Sequence, residues 1–583
     1  MISAILTKFQ STIKSLSRVW PSKSNGRRRE GKTPPWLEHY DTDVPREIYI
    51  PNITLNDILA RSVAVHREHA AFFYFGKKYT YSEFDRAIRR VVAGFQKIGV
   101  RKGDRIAFVL PNMPQFLFSY WAALRLGAIV APINPLFSGR EIAACINLIE
   151  PKVIIVLDRL YDKLRDDANN VMSAECIAIA SIDTFMPQSA KLYIAAKKVL
   201  TGRRSRKLNA RVRPFKELFD NRPADAWDEP KAEDTAALLF TGGVTGTPKA
   251  VQLLHKNLVA NVLQTRAWLG HLKDGHDVVI GVLPFFHSYG MTTCHHLAIQ
   301  LGATLILEPR FHALRVIRLI QKHKVTIFPG VPTMYRAIAD EIQFSGQKLD
   351  HVRICVSGGA PLSSALKQQF EALTGSTLVE GYGLSEASPL THCNPLYSHQ
   401  KKDSIGLPCP NTQARIVHLR TGKVLPQNSV GELEVKGPQV MRSFWKNEKE
   451  TQNVLRNGWL STGDIAYMDQ DGFFYIIDRK KDLILHGGFN VYPSEVEDVL
   501  SQHPDIKEVA VVGEADDYYG EIIKAFIVPQ DGRVCQEQEM VNFCRKNLAH
   551  FKVPKKFVIV DSLPKNFLGK VVKRNLKNSP QNR

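Results

Sequence analysis

The sequence is short of acid: 57 aspartates and glutamates face 78 lysines and arginines, a formal charge of +21. A field of that sign favours an anionic partner, whether nucleic acid, nucleotide, polyphosphate or acidic lipid. Cysteine is also scarce. Cys145, Cys176, Cys294, Cys355, Cys393, Cys409, Cys535 and Cys544 stand singly, with no CxxC pair. That argues against a zinc ribbon or a disulfide framework and fits a reducing cytoplasm. No uninterrupted apolar run reaches about 18 residues, so no transmembrane helix is expected. Internal repeats and low-complexity tracts are missing as well. What remains is a 583-residue chain, 44% apolar and 23% charged, a soluble globular composition. Its length calls for more than one domain, since single cores stop growing near ~250–300 residues.

No acidic residue precedes Glu30. In "MISAILTKFQSTIKSLSRVW" the apolar Ile2, Ile5, Leu6, Phe9, Ile13, Leu16 and Trp20 recur at helical steps, with Lys8, Lys14 and Arg18 among the polar positions. The continuous apolar block of a secretory signal is missing. An amphipathic helix of this kind docks on its own domain, lies on an anionic membrane surface, or serves as a transit peptide. Residues 21–35, "PSKSNGRRREGKTPP", read as a linker.

From about residue 54 helix-like and strand-like segments alternate, which argues for an α/β architecture with largely parallel sheets. "YSEFDRAIRRVVAGFQKIG" reads as a helix capped by Ser82 and closed by Gly99. "RIAFVL", "VIIVL", "ATLILE" and "RICVSG" read as strands. Residues 188–216 carry a dense cationic run, read as a solvated surface segment, with contact to lipid headgroups or a phosphorylated ligand as alternatives. A second boundary falls near "IIDRKKDLILHGGFNVYPSEVE", followed by roughly 100 residues, enough for a small α+β domain. The expected division is therefore 1–35, 36–478 and 479–583.

"LLFTGGVTGTPKAVQL", Leu238 to Leu253, places a flexible, donor-rich loop between two short apolar segments. Two strands joined by a tight loop suit it. Gly242, Gly243 and Gly246 permit positive φ. Exposed N–H groups form a concave anion site, to which Thr241, Thr245 and Thr247 add hydroxyls and Lys249 a point charge. It is not a Walker loop, because Pro248 precedes the lysine and Ala250 stands where a magnesium-binding hydroxyl belongs.

Other stretches supply the remaining parts of a nucleotide site. In "VEGYGLSEASP" Tyr382 lies between glycines and is free to stack on a planar ring, while Glu386 is a hard oxygen ligand suited to Mg²⁺. "GWLSTGD" ends in Asp464, a carboxylate able to accept ribose hydroxyls. "IIDRKKD" offers Arg479, and "LPKNFLGKVVKR" presents Lys570 after Gly569.

Together and in this order, these stretches resemble the adenylate-forming superfamily of acyl-CoA synthetases, firefly luciferases and peptide-synthetase adenylation domains, over about residues 50 to 578. "FTGG", "LPFFHSYGM" and "GYGLSEASP" look most like the bacterial long-chain fatty acid–CoA ligases. The resemblance implies a large N-terminal domain of two α/β subdomains plus a β-barrel-like one, and a smaller mobile α+β C-terminal domain. It implies that Thr241 to Lys249 hold the β- and γ-phosphates and that Gly358, Gly359, Ala360 and Tyr382 frame the adenine. Glu380, Gly381 and Gly383 belong to the same nucleotide-binding set. Glu386 would reach Mg²⁺, Ser385 the α-phosphate, and Asp464 and Arg479 the ribose. Lys481 matches the hinge position, Lys570 the adenylation lysine, and His287 a place near the substrate carboxylate. Gly487 and Gly488 would flank the coenzyme A path.

The expected activity is ATP-dependent acyl-adenylate formation, then transfer to coenzyme A. Loading of a carrier-protein thiol is the alternative. Luciferase-like oxygenation and a non-enzymatic basic binder are more distant readings. Expected partners are a fatty acid, a membrane surface met through the N-terminal helix, and a second copy of the chain; nucleic acid is not expected. The expected location is the cytoplasm, on the inner face of the cell membrane. Departures from the family pattern are Gly242 for serine, Val244 for threonine, Ala250 for glycine, Ser385 for the commoner threonine and Leu568 for threonine. Val244 removes one phosphate-facing hydroxyl, a loss of about 1–3 kcal/mol.

Overall fold

The computed structural model describes residues 34–162, 174–191, 211–241, 248–486, 489–516, 519–566 and 569–577. The N-terminal amphipathic segment, most of the linker and the centre of the cationic run lie outside these residues. So do Gly242 to Thr247, Gly487, Gly488 and Leu568.

The read strands form where apolar runs were read. Arg105–Val109, Val153–Leu157, Thr304–Leu307 and Ile354–Ser357 all pair in parallel. They divide between a nine-stranded and an eight-stranded sheet. In the eight-stranded sheet, Ile106 and Phe108 join the large core that also holds Phe72, Ile280 and Ile354. Their neighbours Ala107 and Val109 join a second core with Ile142 and Ile146. Alternate side chains thus find apolar cover on both faces, the usual condition of parallel sheets. The helix Pro114–Arg125 is buried at every position, mostly apolar as an interior helix should be, and its polar Gln115 and Arg125 bond to Ser181 O and Asp85.

The helix read from "YSEFDRAIRRVVAGFQKIG" spans Tyr81–Lys97, but its cap is Thr80 rather than Ser82. Thr80 Oγ1 accepts from Glu83 N at 3.2 Å, and Glu83 Oε2 accepts from Thr80 N at 2.8 Å. The glutamate three places on selects the cap, and Ser82 already has helical backbone. Gly99 follows the helix end with φ +75°.

The small β part is a five-stranded antiparallel sheet built on Gly431–Lys436 and Trp459–Met468, with Phe474–Arg479 paired to the latter. The last lobe has its own five-stranded sheet, from Ile484–His486 to Lys556–Ile559. Helices Pro493–Leu500 and Glu537–Asn547 pack on it. Its apolar clusters are separate from the large core. The molecule is therefore a mixed α/β protein with a large N-terminal and a small C-terminal part. Among the described residues no helix is long and apolar enough to cross a membrane.

One buried acid ties the start of the described chain to the wall of the cavity discussed below. Asp41, 5% exposed, accepts from Leu396 N (2.7 Å), Tyr397 N (3.1 Å) and Ser398 N (2.5 Å). These follow the strand Leu390–Cys393, which pairs with the strand carrying Tyr382. Replacing Asp41 with alanine leaves those amides without their acceptor. Asp41→Ala is expected to cost about 2–4 kcal/mol, read as a lower urea midpoint at unchanged slope. An unchanged midpoint would show that water replaces the carboxylate freely.

Candidate active site

The strands Thr235–Thr241 and Lys249–Leu254 form an antiparallel pair in which Thr241 faces Lys249 across the ladder. The loop expected between them thus has both its ends fixed by backbone pairing. Thr241 and Lys249 line a cavity of about 800 Å³.

The strand Thr377–Gly383 brings Tyr382 to that cavity, and its register shifts at Tyr382/Gly383. A Cβ on Gly383 would stand 2.2 Å from Pro389 O, so only glycine fits there. Gly358, Gly359, Gly381, Ser385 and Glu386 also line the cavity. A Cβ on Gly358 would sit 3.1 Å from the Tyr289 ring and 3.2 Å from Gly381 O, so its absence lets loop, ring and strand close up. Ala360 continues the loop. Glu380 lies behind this wall: its Oε2 accepts from Leu362 N at 3.1 Å, and burial pushes its carboxyl up to about 8.

Asp464 and Arg479 are cross-strand partners in the antiparallel sheet, with Nε of Arg479 2.6 Å from Oδ1 of Asp464. The Tyr382 hydroxyl donates to the other carboxylate oxygen, Oδ2. The Asp464 side chain is 2% exposed. Burial raises its pKa, opposed first by the charge of Arg479. This buried pair joins the tyrosine of one sheet to two strands of another.

Lys570 arrives from the C-terminal part and lines the cavity with Asn566 and Lys481. Asn566 N donates to Lys570 O at 2.8 Å, and Lys570 N to Asn566 Oδ1 at 3.0 Å. Gly569, at φ +79°, comes so near Thr333 that a Cβ would lie 2.5 Å from its methyl. Close packing against the large part therefore sets where Lys570 sits. Surrounding protein and then the charge of Arg479 hold its ammonium below the ordinary lysine value, while Asp464 works the other way.

His287 lines the cavity, with Nδ1 accepting from Tyr289 N at 3.2 Å. Burial lowers its pKa to about 4, so the ring is neutral at physiological pH. Its neighbour Ser288, which the motif reading passed over, has Oγ 3.3 Å from Ser385 Oγ. Glu450 was missed altogether. It takes the ammonium of Lys249 in an ion pair and lies 201 positions away, so no local spacing could reveal it.

The residues present fit a nucleotide triphosphate. Lys249, Lys481, Lys570, Arg456 and Arg479 line a cavity that also exposes Tyr382. They also fit one divalent cation: burial holds the Glu386 carboxyl above its ordinary value, and a cation beside it would restore the charged form. Among the described residues no cluster of His, Cys, Asp or Glu forms a cation cage by itself. A lone carboxylate completed by phosphate oxygens is the ordinary Mg²⁺ arrangement.

Residues 59–445 match the family model described as AMP-binding enzyme, and 495–570 the one for its C-terminal domain. The chain is an AMP-binding enzyme. This AMP-binding enzyme is 40% identical over 555 residues to the long-chain-fatty-acid–CoA ligase of Bacillus subtilis (strain 168), covering 93% of this chain and 97% of that one. Against the long-chain-fatty-acid–CoA ligase of Escherichia coli O157:H7 the identity is 35% over 549 residues, with the same coverage. Its fold matches the solved structure of ATP-bound MatB from Rhodopseudomonas palustris with a TM-score of 0.77 and 28% identity, covering 90% of this chain and 99% of that one.

The geometry sets how Lys570 titrates. In the AMP-binding enzyme its amine is expected to lose its proton at a lower pH than an ordinary lysine does. Asp464→Asn should lower that midpoint further, since the carboxylate is what favours the charged form. NMR of side-chain-labelled lysine measures both. An ordinary midpoint, or none of the downward shift in Asp464→Asn, would place Lys570 outside the cavity in solution.

Proposed function

We propose that the protein activates a long-chain fatty acid with ATP and Mg²⁺, forming an acyl-adenylate and then an acyl-coenzyme A thioester. The observation that carries this reading is the approach of Lys570, from the C-terminal part, to the cavity that also holds Lys249, Tyr382, Glu386 and Arg479. The two long-chain-fatty-acid–CoA ligase relatives support the substrate class.

The physical problem is repulsion, because a fatty carboxylate and a triphosphate are both anions. Lys249 and the amides of the Thr241–Lys249 loop neutralise the β- and γ-phosphates. Lys570 holds charge beside the α-phosphate, and Ser385 adds a hydroxyl there. Such fixed charges and dipoles need no reorganisation as the reaction proceeds. Mg²⁺, held through Glu386, supplies further neutralisation of the phosphate oxygens. Tyr382 and the Gly358–Ala360 loop take the adenine, and Asp464 with Arg479 takes the ribose. His287, neutral, orients the fatty carboxylate by hydrogen bonding. One carboxylate oxygen bonds to the α-phosphorus, and pyrophosphate leaves with the electron pair of the broken bond. The coenzyme A thiol, giving up its proton, then attacks the acyl carbon, and AMP departs.

The same lysine cannot stay in place while the thiol approaches. We place the domain division at 478/479, with Lys481 as the hinge and Gly487 and Gly488 beside the incoming pantetheine, where glycine permits close approach. The separate apolar cores of the C-terminal part are what a rigid rotating body requires. Peripheral membrane contact through the N-terminal segment and a cytoplasmic location are proposed from the sequence pattern alone.

ATP–pyrophosphate exchange across acids of two to eighteen carbons, with and without coenzyme A, tests the reading. Long-chain acids should support exchange, and coenzyme A should divert it into thioester. Exchange without consumption of coenzyme A would favour a carrier-protein acceptor instead. Lys570→Ala should slow adenylation by about 10²–10³-fold, the scale of one lost preorganised donor, while thioester formation from supplied acyl-AMP survives. Lys481→Pro should do the reverse, sparing exchange and blocking thioester formation; unaffected thiolation would sink the hinge.

A further inference from the structure

Lys249 does not wait for phosphate alone. Its ammonium is ion-paired and hydrogen-bonded to Oε1 of Glu450, and both residues line the cavity. Their side chains are 27% and 29% exposed, so the pair stands at the cavity wall rather than on the outer surface.

The partner is held in place by its own short helix, Glu448–Val454. Asn447 Oδ1 caps that helix by accepting from Glu450 N at 3.1 Å. Thr451 Oγ1 accepts from Phe444 N at 2.9 Å. Phe444 belongs to the two-residue strand that pairs with Lys249–Leu254, and its ring centroid lies 5.6 Å from the Lys249 ammonium. Lysine, aromatic ring and carboxylate are thus fixed by one set of backbone bonds. Asn453 Nδ2 lies 3.5 Å from the second oxygen of Glu450, so the carboxylate keeps a donor if the lysine turns away. The hydrogen bond and charge of Lys249 hold the Glu450 carboxyl below its ordinary value, which keeps it an anion at any working pH.

We propose that Glu450 is the resting counter-ion of Lys249, occupying the seat that a phosphate oxygen takes, so that ATP binding exchanges one anion for another. The proposal rests on Lys249 being a phosphate-binding cation. To an ammonium, a carboxylate oxygen and a phosphate oxygen are equivalent charged acceptors. One ammonium cannot serve both fully, so Glu450 competes with the triphosphate on entry. It competes again with pyrophosphate on exit, returning Lys249 to its resting partner as the product leaves. Glu450 is a positioning residue here: it touches neither reacting atom and acts through Lys249.

The test uses the full chain in ATP–pyrophosphate exchange with a long-chain acid, comparing wild type with E450Q, E450A and E450D. E450Q and E450A should lower the KM for ATP and the inhibition constant of pyrophosphate together, by about two- to fivefold, the range for releasing one partly exposed ion pair. The maximal rate should move less than the KM, and E450D, which keeps the charge, should stay near wild type. An unchanged or raised KM for ATP in both E450Q and E450A overturns the proposal, as does an equal fall in E450D. Absence of acid-dependent exchange in the wild type would instead sink the functional reading, and so would be distinguishable.

Discussion

Asp464 is the charge on which the rest of the site depends. It is nearly inaccessible, yet it accepts from Tyr382 on one oxygen and from Arg479 on the other. Taking a carboxylate out of water costs several kcal/mol, and here the compensation comes from three directions. The tyrosine belongs to the nine-stranded sheet and the arginine to the antiparallel sheet, while Lys570 reaches in from the C-terminal part. Remove the acid and Arg479, Lys570 and Lys481 face one another as like charges, with the tyrosine hydroxyl and the guanidinium left without their shared acceptor. A buried ion pair is weak evidence for stability as such. Its value here is geometric, since it fixes where a tyrosine ring, a guanidinium and an ammonium stand relative to one cavity.

Much of this was legible in the sequence, for a definable reason. Residues that must face a ligand through backbone geometry carry their signal locally. Gly383 has to be glycine because Pro389 O occupies the space of a side chain, so the glycine-flanked tyrosine announces itself. Asp464 and Arg479 belong to two neighbouring motifs and face each other across a hairpin, a pairing that separation of only 15 positions allows. Parallel strands read correctly because burial on both faces leaves an apolar run with no polar interruption.

What the sequence hid has an equally physical explanation. Glu450 lies on a short polar helix whose composition suits any exposed turn; only the pairing of Ser443–Phe444 with Lys249–Leu254 brings it to the lysine. Glu380 shares a strand face with Tyr382, yet its carboxylate is taken up by Leu362 N, 18 positions back, and it does not line the cavity. That partner belongs to the Gly358–Leu362 loop, a contact that motif reading alone does not see. The cap of Tyr81–Lys97 went astray for a related cause: Thr80 and Ser82 both satisfy the pattern by type, and Glu83 decides between them.

The charge balance of the cavity then constrains how the two parts of the molecule work together. Seven lysines and arginines line it against four glutamates, Glu386, Glu432, Glu434 and Glu450, and burial pushes Glu386 and the adjoining Asp464 towards the neutral form. Burial first, and then the arginine beside it, push Lys570 towards its own neutral form. Each of these shifts is relieved by adding something: a divalent cation for the carboxylate, phosphate for the lysine. A cavity whose own groups are strained in both senses is stabilised most by a ligand that brings both charges at once, and MgATP is such a ligand. On the proposed function, filling it would favour the arrangement seen here, with Lys570 at the cavity. On the proposed reaction, loss of pyrophosphate would withdraw most of the negative charge beside Lys570. The lysine would then face Arg479 with less to offset it, which gives the proposed rotation of the lobe that carries it, built on its own apolar cores, an electrostatic driving force.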